Sequence, residues 1–300
     1  MSSTYTEKAY AKVNLNLEII GCRPDGYHEL VSLVAFARDV FDVITVTPAE
    51  CLSLHICGPS SQYIDGSNIV SLAAEAASKV PAVTQLGHTE LIKNLPVAAG
   101  LGGGSADAAA VLRALGRLNG ISDIETAFAN LCPALGADVP VCLQSGTAEG
   151  ALMWGIGEHV WRLHAADENH QLFPKGLSAV LANPGVPVPT GDIFRALDAA
   201  PLETSPASPE KPGPFQTIDA LVEFLNNSLN DLEKPAFSIA PEIENVLDEL
   251  RNLPCCRLAR MSGSGATCFG LFKSFAQAEV AALQLINQRP QWWIAATRLS

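Results

Sequence analysis

The chain has no run of lysine or arginine, and its net charge of −12 leaves no basic face for nucleic acid. An acidic total still permits a small anionic ligand, because glycine-loop amides and a few local cations can hold one. No apolar stretch approaches the roughly 20 residues that cross a bilayer. The opening "MSSTYTEKAYAKVNLN" has no apolar signal-peptide core. A soluble, cytoplasmic protein is expected, with no membrane or nucleic-acid partner. None of the eight cysteines sits in a C-x-x-C pair, and adjacent Cys255 and Cys256 suit neither an ordinary disulfide nor a zinc pair. Reduced thiols follow. The histidines lack H-x-x-x-H spacing, so no metal site built by the protein is predicted. There is no internal repeat and no coiled-coil pattern, and oligomeric state stays open.

What remains is a globular composition, 300 residues with 48% hydrophobic and 17% charged, enough for one large or two moderate domains. "AKVNLNLEII" alternates with the period of a half-buried strand: Val13, Leu15, Leu17 and Ile19 on one side, Lys12, Asn14, Asn16 and Glu18 on the other. The polar side suits either a solvated face or a strand lining a polar cleft. Further strands are expected at "FDVITV", "LSLHIC" and "HTELIKNL". Ser67 or Asn68 is placed to cap a helix reaching about Lys79. Ser105 is placed to cap another, with Ala109, Leu112 and Leu115 as its apolar stripe. Ser122 and Glu125 have capping-box spacing. Short strand pieces are expected between Gly146 and Leu163, then a strand at "LSAVLANPG" and a short helix capped by Thr190. Five prolines between Pro201 and Pro214 predict an irregular excursion. Helices are expected near 216–226, 241–252 and 274–287, and a final strand at "WWIAATRL". Strands and helices are mixed without a strict βαβ rhythm, which favours an α+β fold. The boundary between two halves is expected near 155–175.

The stretch "LPVAAGLGGGSADAAAVLRALGRL" puts four glycines into the five positions from Gly100 to Gly104, just before a helical pattern. Such a loop can be a turn or a phosphate cradle, since free amides and the positive end of a helix dipole attract anions. It is not a Walker A loop, because no Lys-Ser or Lys-Thr follows. It is not a dinucleotide fingerprint either, because the third position counted from Gly100 and Gly102 is Ser105. That spacing and the absent βαβ rhythm exclude a dinucleotide-binding oxidoreductase. A second glycine loop lies in "RMSGSGATCFGLF", and "LGADVPVCLQ" places Asp138 among small residues.

Taken together, "AKVNLNLEIIGCRPDGYHEL", "GLGGGSADAA" and "MSGSGAT" resemble the GHMP kinase superfamily of small-molecule kinases. "DGYHEL" resembles the branch that acts on cytidine-diphosphate-linked methylerythritol. The resemblance implies a two-domain α+β fold with the active site in the cleft between domains: an ATP-binding domain over residues 1–160 and a substrate-side domain over 161–300. It implies transfer of the γ-phosphate of ATP, with Mg2+, to the 2-hydroxyl of that acceptor in the non-mevalonate isoprenoid pathway. Asp138 is then the base and Lys12 its partner, a pairing that suits a site where a carboxylate must stay ionised beside growing negative charge. Pro96, Val97, Ala98, Ala99, Gly100, Leu101, Gly102, Gly103, Gly104, Ser105 and Ala106 would wrap the ATP phosphates. Asn14, Tyr27, His28, Thr190 and Phe194 would bind the acceptor, with Tyr27 and Phe194 stacking on the cytosine. Ala98 and Ala99 depart from the family pattern, where more glycine is usual; alanine does not take positive φ cheaply. The resemblance leaves two alternatives. One is a sibling kinase acting on mevalonate or homoserine, the other a non-catalytic sensor on the same fold.

Overall fold

The computed structural model describes residues 3–64, 68–144, 150–163, 173–174, 176–204 and 206–300. In chain order the elements are β1 (Tyr5–Asn14), β2 (Glu18–Cys22), β3 (His28–Ala49), β4 (Ser53–Cys57), α1 (Ile69–Ala77), β5 (Leu86–Ile92), α2 (Gly103–Leu118), α3 (Ile124–Phe128), α4 (Cys132–Leu135), α5 (Val139–Gln144), β6 (Ala151–Gly155), β7 (His159–Arg162), β8 (Ser178–Asn183), α6 (Thr190–Arg195), α7 (Ile218–Asn226), α8 (Glu233–Ile239), α9 (Glu242–Asn252), β9 (Leu258–Met261), β10 (Cys268–Phe272), α10 (Phe275–Gln288) and β11 (Trp293–Arg298). They gather into two compact units. The first holds Met1–Ala11, Val40–Val97 and Gly102–Thr147, and the second Lys12–Asp39, Ala98–Leu101 and Ala148–Ser300.

In the first unit, β4 runs parallel to β5, and β5 pairs antiparallel with the second half of β3 from Val43 to Ala49. Asn68 caps the intervening helix α1: its side chain accepts from the Val70 amide at 2.7 Å. Ser67 lies outside the described residues. α2 is buried on every side from Ala106 to Gly116 rather than along one stripe. Its run of alanines lets neighbouring elements approach from all directions, which is the signature of a central helix. The helix near Ser122 starts one residue later than its capping box suggests, with Asp123 accepting from Thr126 N–H at 3.0 Å.

In the second unit, β11, β8, β10 and β9 form an antiparallel sheet in that order. β8 is buried along its whole length, its apolar centre Ala179–Ala182 flanked by buried Ser178 and Asn183. A separate antiparallel set pairs β3 with β2 and β6, and β6 with β7. The alternating segment at 11–20 is two strands rather than one. β1 ends at Asn14 and β2 starts at Glu18. Between them the backbone turns its bonds to other partners: Leu15 N–H donates to Leu33 O at 2.8 Å and Leu17 N–H to Leu229 O at 2.9 Å. Lys12 through Leu17 are all buried, so the polar side is not a solvated face.

Candidate active site

The glycine loop spans the change from the second unit to the first, and each side has its own geometry. Ala98–Leu101 is docked on the second unit by main-chain bonds. Leu101 O accepts from Lys12 N–H at 2.8 Å, and Ala99 O accepts from Thr267 N–H at 3.1 Å. Ser262 Oγ donates to Gly100 O at 2.9 Å and accepts from Asn14 N–H at 3.1 Å. Gly100 sits at φ 72°, and a Cβ there would lie 2.3 Å from Ser262 O. Only glycine lets the two glycine loops touch backbone to backbone. Ala98 takes φ 51° all the same, so an alanine occupies the left-handed region that the sequence reading held to be costly for it.

On the first-unit side, Gly102 at φ 61° is the N-cap of α2, without a side-chain cap. Ser105, expected as the cap, is instead the third residue of the helix. The leading amides of α2 lack intrahelical acceptors, and its first turn carries no acidic residue. That donor set fits the anionic tail of a nucleotide. A buried charge cluster fixes both flanks. Lys93, just past β5, donates to Asp42 Oδ2 at 2.6 Å and to Asp107 Oδ2 of α2 at 2.5 Å, while Asn94 and Leu95 N–H donate to Asp42 Oδ1 at 2.6 and 2.8 Å. Burial alone would lower the Lys93 pKa, but the Asp107 and Asp42 charges outweigh it and raise it. Burial holds the Asp107 carboxyl well above the ordinary range, with Lys93 opposing and Asp42 adding to the shift. Asp138 immediately precedes α5, where its carbonyl accepts from Cys142 N–H at 3.1 Å. Ser105 Oγ lies beside Gly136 of the same turn, 3.7 Å from where a Cβ would stand.

The remaining candidates belong to the second unit and form a connected path. Lys12 Nζ donates to Asn14 Oδ1 at 3.0 Å. Asn14 meets Ser262 as above, and two residues along that loop Ser264 Oγ pairs with Thr190 Oγ1 at 2.8 Å. Thr190 does not cap α6; its N-cap is Pro189, and the threonine hydroxyl turns to the loop instead. One helical turn on, Phe194 faces His28 with ring centroids 5.3 Å apart. Burial lowers the His28 pKa below 6.5. Tyr27 is 60% exposed, which leaves its ring open to solvent and to a stacking partner. The segment Asn230–Glu233 props the second glycine loop. Asn230 Nδ2 donates to Met261 O at 2.9 Å and Gly263 O at 2.8 Å, and Glu233 Oε1 accepts from Met261 N–H at 2.8 Å. Sequence reasoning missed the parts played by Asp42, Lys93 and Asp107, because their partners lie far off in the chain.

Models of the GHMP kinase N-terminal domain and of "GHMP kinases C terminal" match residues 68–146 and 213–290. The 4-diphosphocytidyl-2-C-methyl-D-erythritol kinase of Parvibaculum lavamentivorans is 45% identical over 296 residues, 98% of this chain and 98% of that one. The chain belongs to the GHMP kinase family. A crystal structure of 4-(cytidine 5'-diphospho)-2C-methyl-D-erythritol kinase superposes with a TM-score of 0.72 at 33% identity, covering 99% of each chain. Homoserine kinase from Cytophaga hutchinsonii, at 15% identity and a TM-score of 0.69 over 100% of this chain and 96% of its own, shares the fold. The expected two-domain α+β GHMP kinase fold is therefore established, and with it ATP as the phosphoryl donor of the family. Among the described residues no helix is long and apolar enough to cross a membrane.

Proposed function

We propose that this GHMP kinase transfers the γ-phosphate of ATP to the 2-hydroxyl of 4-diphosphocytidyl-2-C-methyl-D-erythritol; a 45%-identical relative is named a kinase of that compound. The observation that carries the reading is the connected path from Lys12 through Ser262, Ser264 and Thr190 to the Phe194–His28 ring pair. It joins a buried cation beside the glycine loop to an aromatic platform of the kind that holds a base. In the reaction the 2-hydroxyl oxygen bonds to the γ-phosphorus, the bond from γ-phosphorus to the bridging oxygen breaks, and ADP leaves. Asp138 takes the hydroxyl proton. The transition state is loose, with charge spread over the transferred oxygens. The Lys12 ammonium and the leading amides of α2 meet that charge. Pro96 to Ala106 follow the triphosphate. Phe194 and Tyr27 flank the cytosine, a contact worth about 1–3 kcal/mol per stacked base. His28, Asn14 and Thr190 take polar groups of the acceptor.

Mg2+ belongs to this reading as an ion carried mainly by the nucleotide. Among the described residues no group of three or more His, Cys, Asp and Glu side chains forms a metal cage. An ion of this kind keeps its waters and binds largely through substrate phosphates. When bound, it neutralises charge on the phosphoryl oxygens. The protein acts on a small molecule in the cytoplasm under this reading. The residues 1–160 and 161–300 remain our division into ATP and acceptor sides.

The test is an acceptor panel. With Mg2+ and ATP, ADP release is expected with 4-diphosphocytidyl-2-C-methyl-D-erythritol and not with homoserine or mevalonate. Turnover with either of the latter instead reassigns the chain within the family. No turnover with any acceptor, alongside tight nucleotide binding, favours a sensor.

A further inference from the structure

The side chains beneath Lys12 form a hydrogen-bond chain whose direction is fixed at both ends. Lys12 Nζ donates to Asn14 Oδ1 at 3.0 Å, Asn14 Nδ2 donates to Ser32 Oγ at 2.8 Å, and Ser32 Oγ donates to Asn16 O at 2.5 Å. An ammonium has no lone pair, and a main-chain carbonyl has no proton. The one Ser32 proton is therefore committed to Asn16 O, and its oxygen must accept from Asn14. The Asn14 amide is thus held with its oxygen toward Lys12. Lys12, Asn14, Ser32 and Asn16 are 3%, 2%, 0% and 3% exposed, so water is poorly placed to stand in for any of them.

The far end of this chain is rigid. Ser32 lies in β3 opposite Met153 of β6, and Met153 Sδ stands 4.0 Å from Lys12 Nζ. Asn16 is pinned in turn, accepting from Leu33 N–H at 2.6 Å and donating to Glu18 Oε1 at 3.1 Å. The Asn14 amide keeps one lone pair and one proton unspent on Lys12 and Ser32, enough to reach a substrate group as well.

We propose that Ser32 is a positioning residue for phosphoryl transfer, acting through Asn14 to hold the Lys12 ammonium. The inference rests on the role given to Lys12 above. Without the Ser32 hydroxyl the NH2 end of the Asn14 amide loses its anchor, and only the bond to Lys12 still orients the side chain. The amide can then tilt within its pocket, and the ammonium it holds moves off its place. Displacement of this kind acts on the chemical step more than on nucleotide binding.

The experiment compares kcat and KM of wild type, Ser32→Ala, Ser32→Cys, Ser32→Thr and Lys12→Met with Mg2+, ATP and the diphosphocytidyl acceptor, with thermal melts alongside. Ser32→Ala is expected to lose about tenfold or more in kcat with KM for ATP little changed. Ser32→Cys, of similar volume with a weak donor and acceptor, falls between, and Ser32→Thr recovers most of the rate. Wild-type kcat in Ser32→Ala, with Lys12→Met inactive, overturns the inference alone. Equal kcat losses in the Ala and Thr variants also overturn it. Wild-type turnover in Lys12→Met removes the role of Lys12 and the inference with it.

Discussion

Ala98 and Gly100 stand two residues apart in the left-handed region, at φ 51° and 72°, and only one is suited to it. An L-residue there costs roughly 1–2 kcal/mol, while glycine gives back about 0.5–1 kcal/mol in unfolded-state entropy. Ala98→Gly should therefore stabilise the protein by up to about 1 kcal/mol. Gly100→Ala should destabilise it by about 2 kcal/mol or more, because strain adds to the collision with Ser262 O. Urea unfolding of the two variants reads both signs. His28 gives a pH prediction. Burial depresses its pKa below 6.5, so protonation costs more in the folded protein than in the unfolded chain. The stability held by neutral His28 is complete above pH 6.5 and is lost as pH falls through the lower folded value. NMR titration should place the His28 midpoint below 6.5 in wild type and return it toward 6.5 in Phe194→Ala, which uncovers the ring. An unchanged midpoint would put the burial elsewhere.

At the scale of elements, the sequence was most legible where a periodic pattern ran between clear caps. The final helix was expected at 274–287 and lies at Phe275–Gln288, and the last strand at "WWIAATRL" is β11. Legibility failed where pairing decides structure. The alternation of 11–20 looks continuous, yet Leu15 and Leu17 bond to distant carbonyls and break it into β1 and β2. The polar side of that stretch is sealed by Ser32 and Ser262, which no local pattern announces. Lys93, Asp42 and Asp107 are likewise separated by 14 and 51 residues and each looks ordinary alone. Their cluster ties β3, β5 and α2 together. Removing the cation would leave two buried carboxyls facing each other, so Lys93→Met should cost about 3–5 kcal/mol. The loss should grow as pH rises through the raised Asp107 pKa, and adding Asp107→Asn should recover part of it. Denaturant midpoints across the carboxylate range check both statements. A loss that does not vary with pH would mean the cluster carries no net titration.

For the whole molecule, the residue types most telling of chemistry were visible in the chain from the start, while their surroundings were not. "DGYHEL", the glycine loop and Asp138 pointed to a nucleotide-dependent small-molecule kinase, and family membership follows from 45% identity over 98% of the chain. The order of segments did not reveal that one unit would collect Lys12–Asp39, Ala98–Leu101 and the C-terminal half. That gathering depends on backbone contacts such as Gly100 against Ser262, which carry no periodic signal. The central claim is that Asp138 accepts the proton of the hydroxyl that ATP phosphorylates. Single-turnover phosphoryl transfer with Asp138→Asn, measured beside its nucleotide affinity, tests it most directly. The account predicts a fall of about 100-fold or more in rate with ATP bound as tightly as in wild type. A variant that transfers phosphate at the wild-type rate would contradict it.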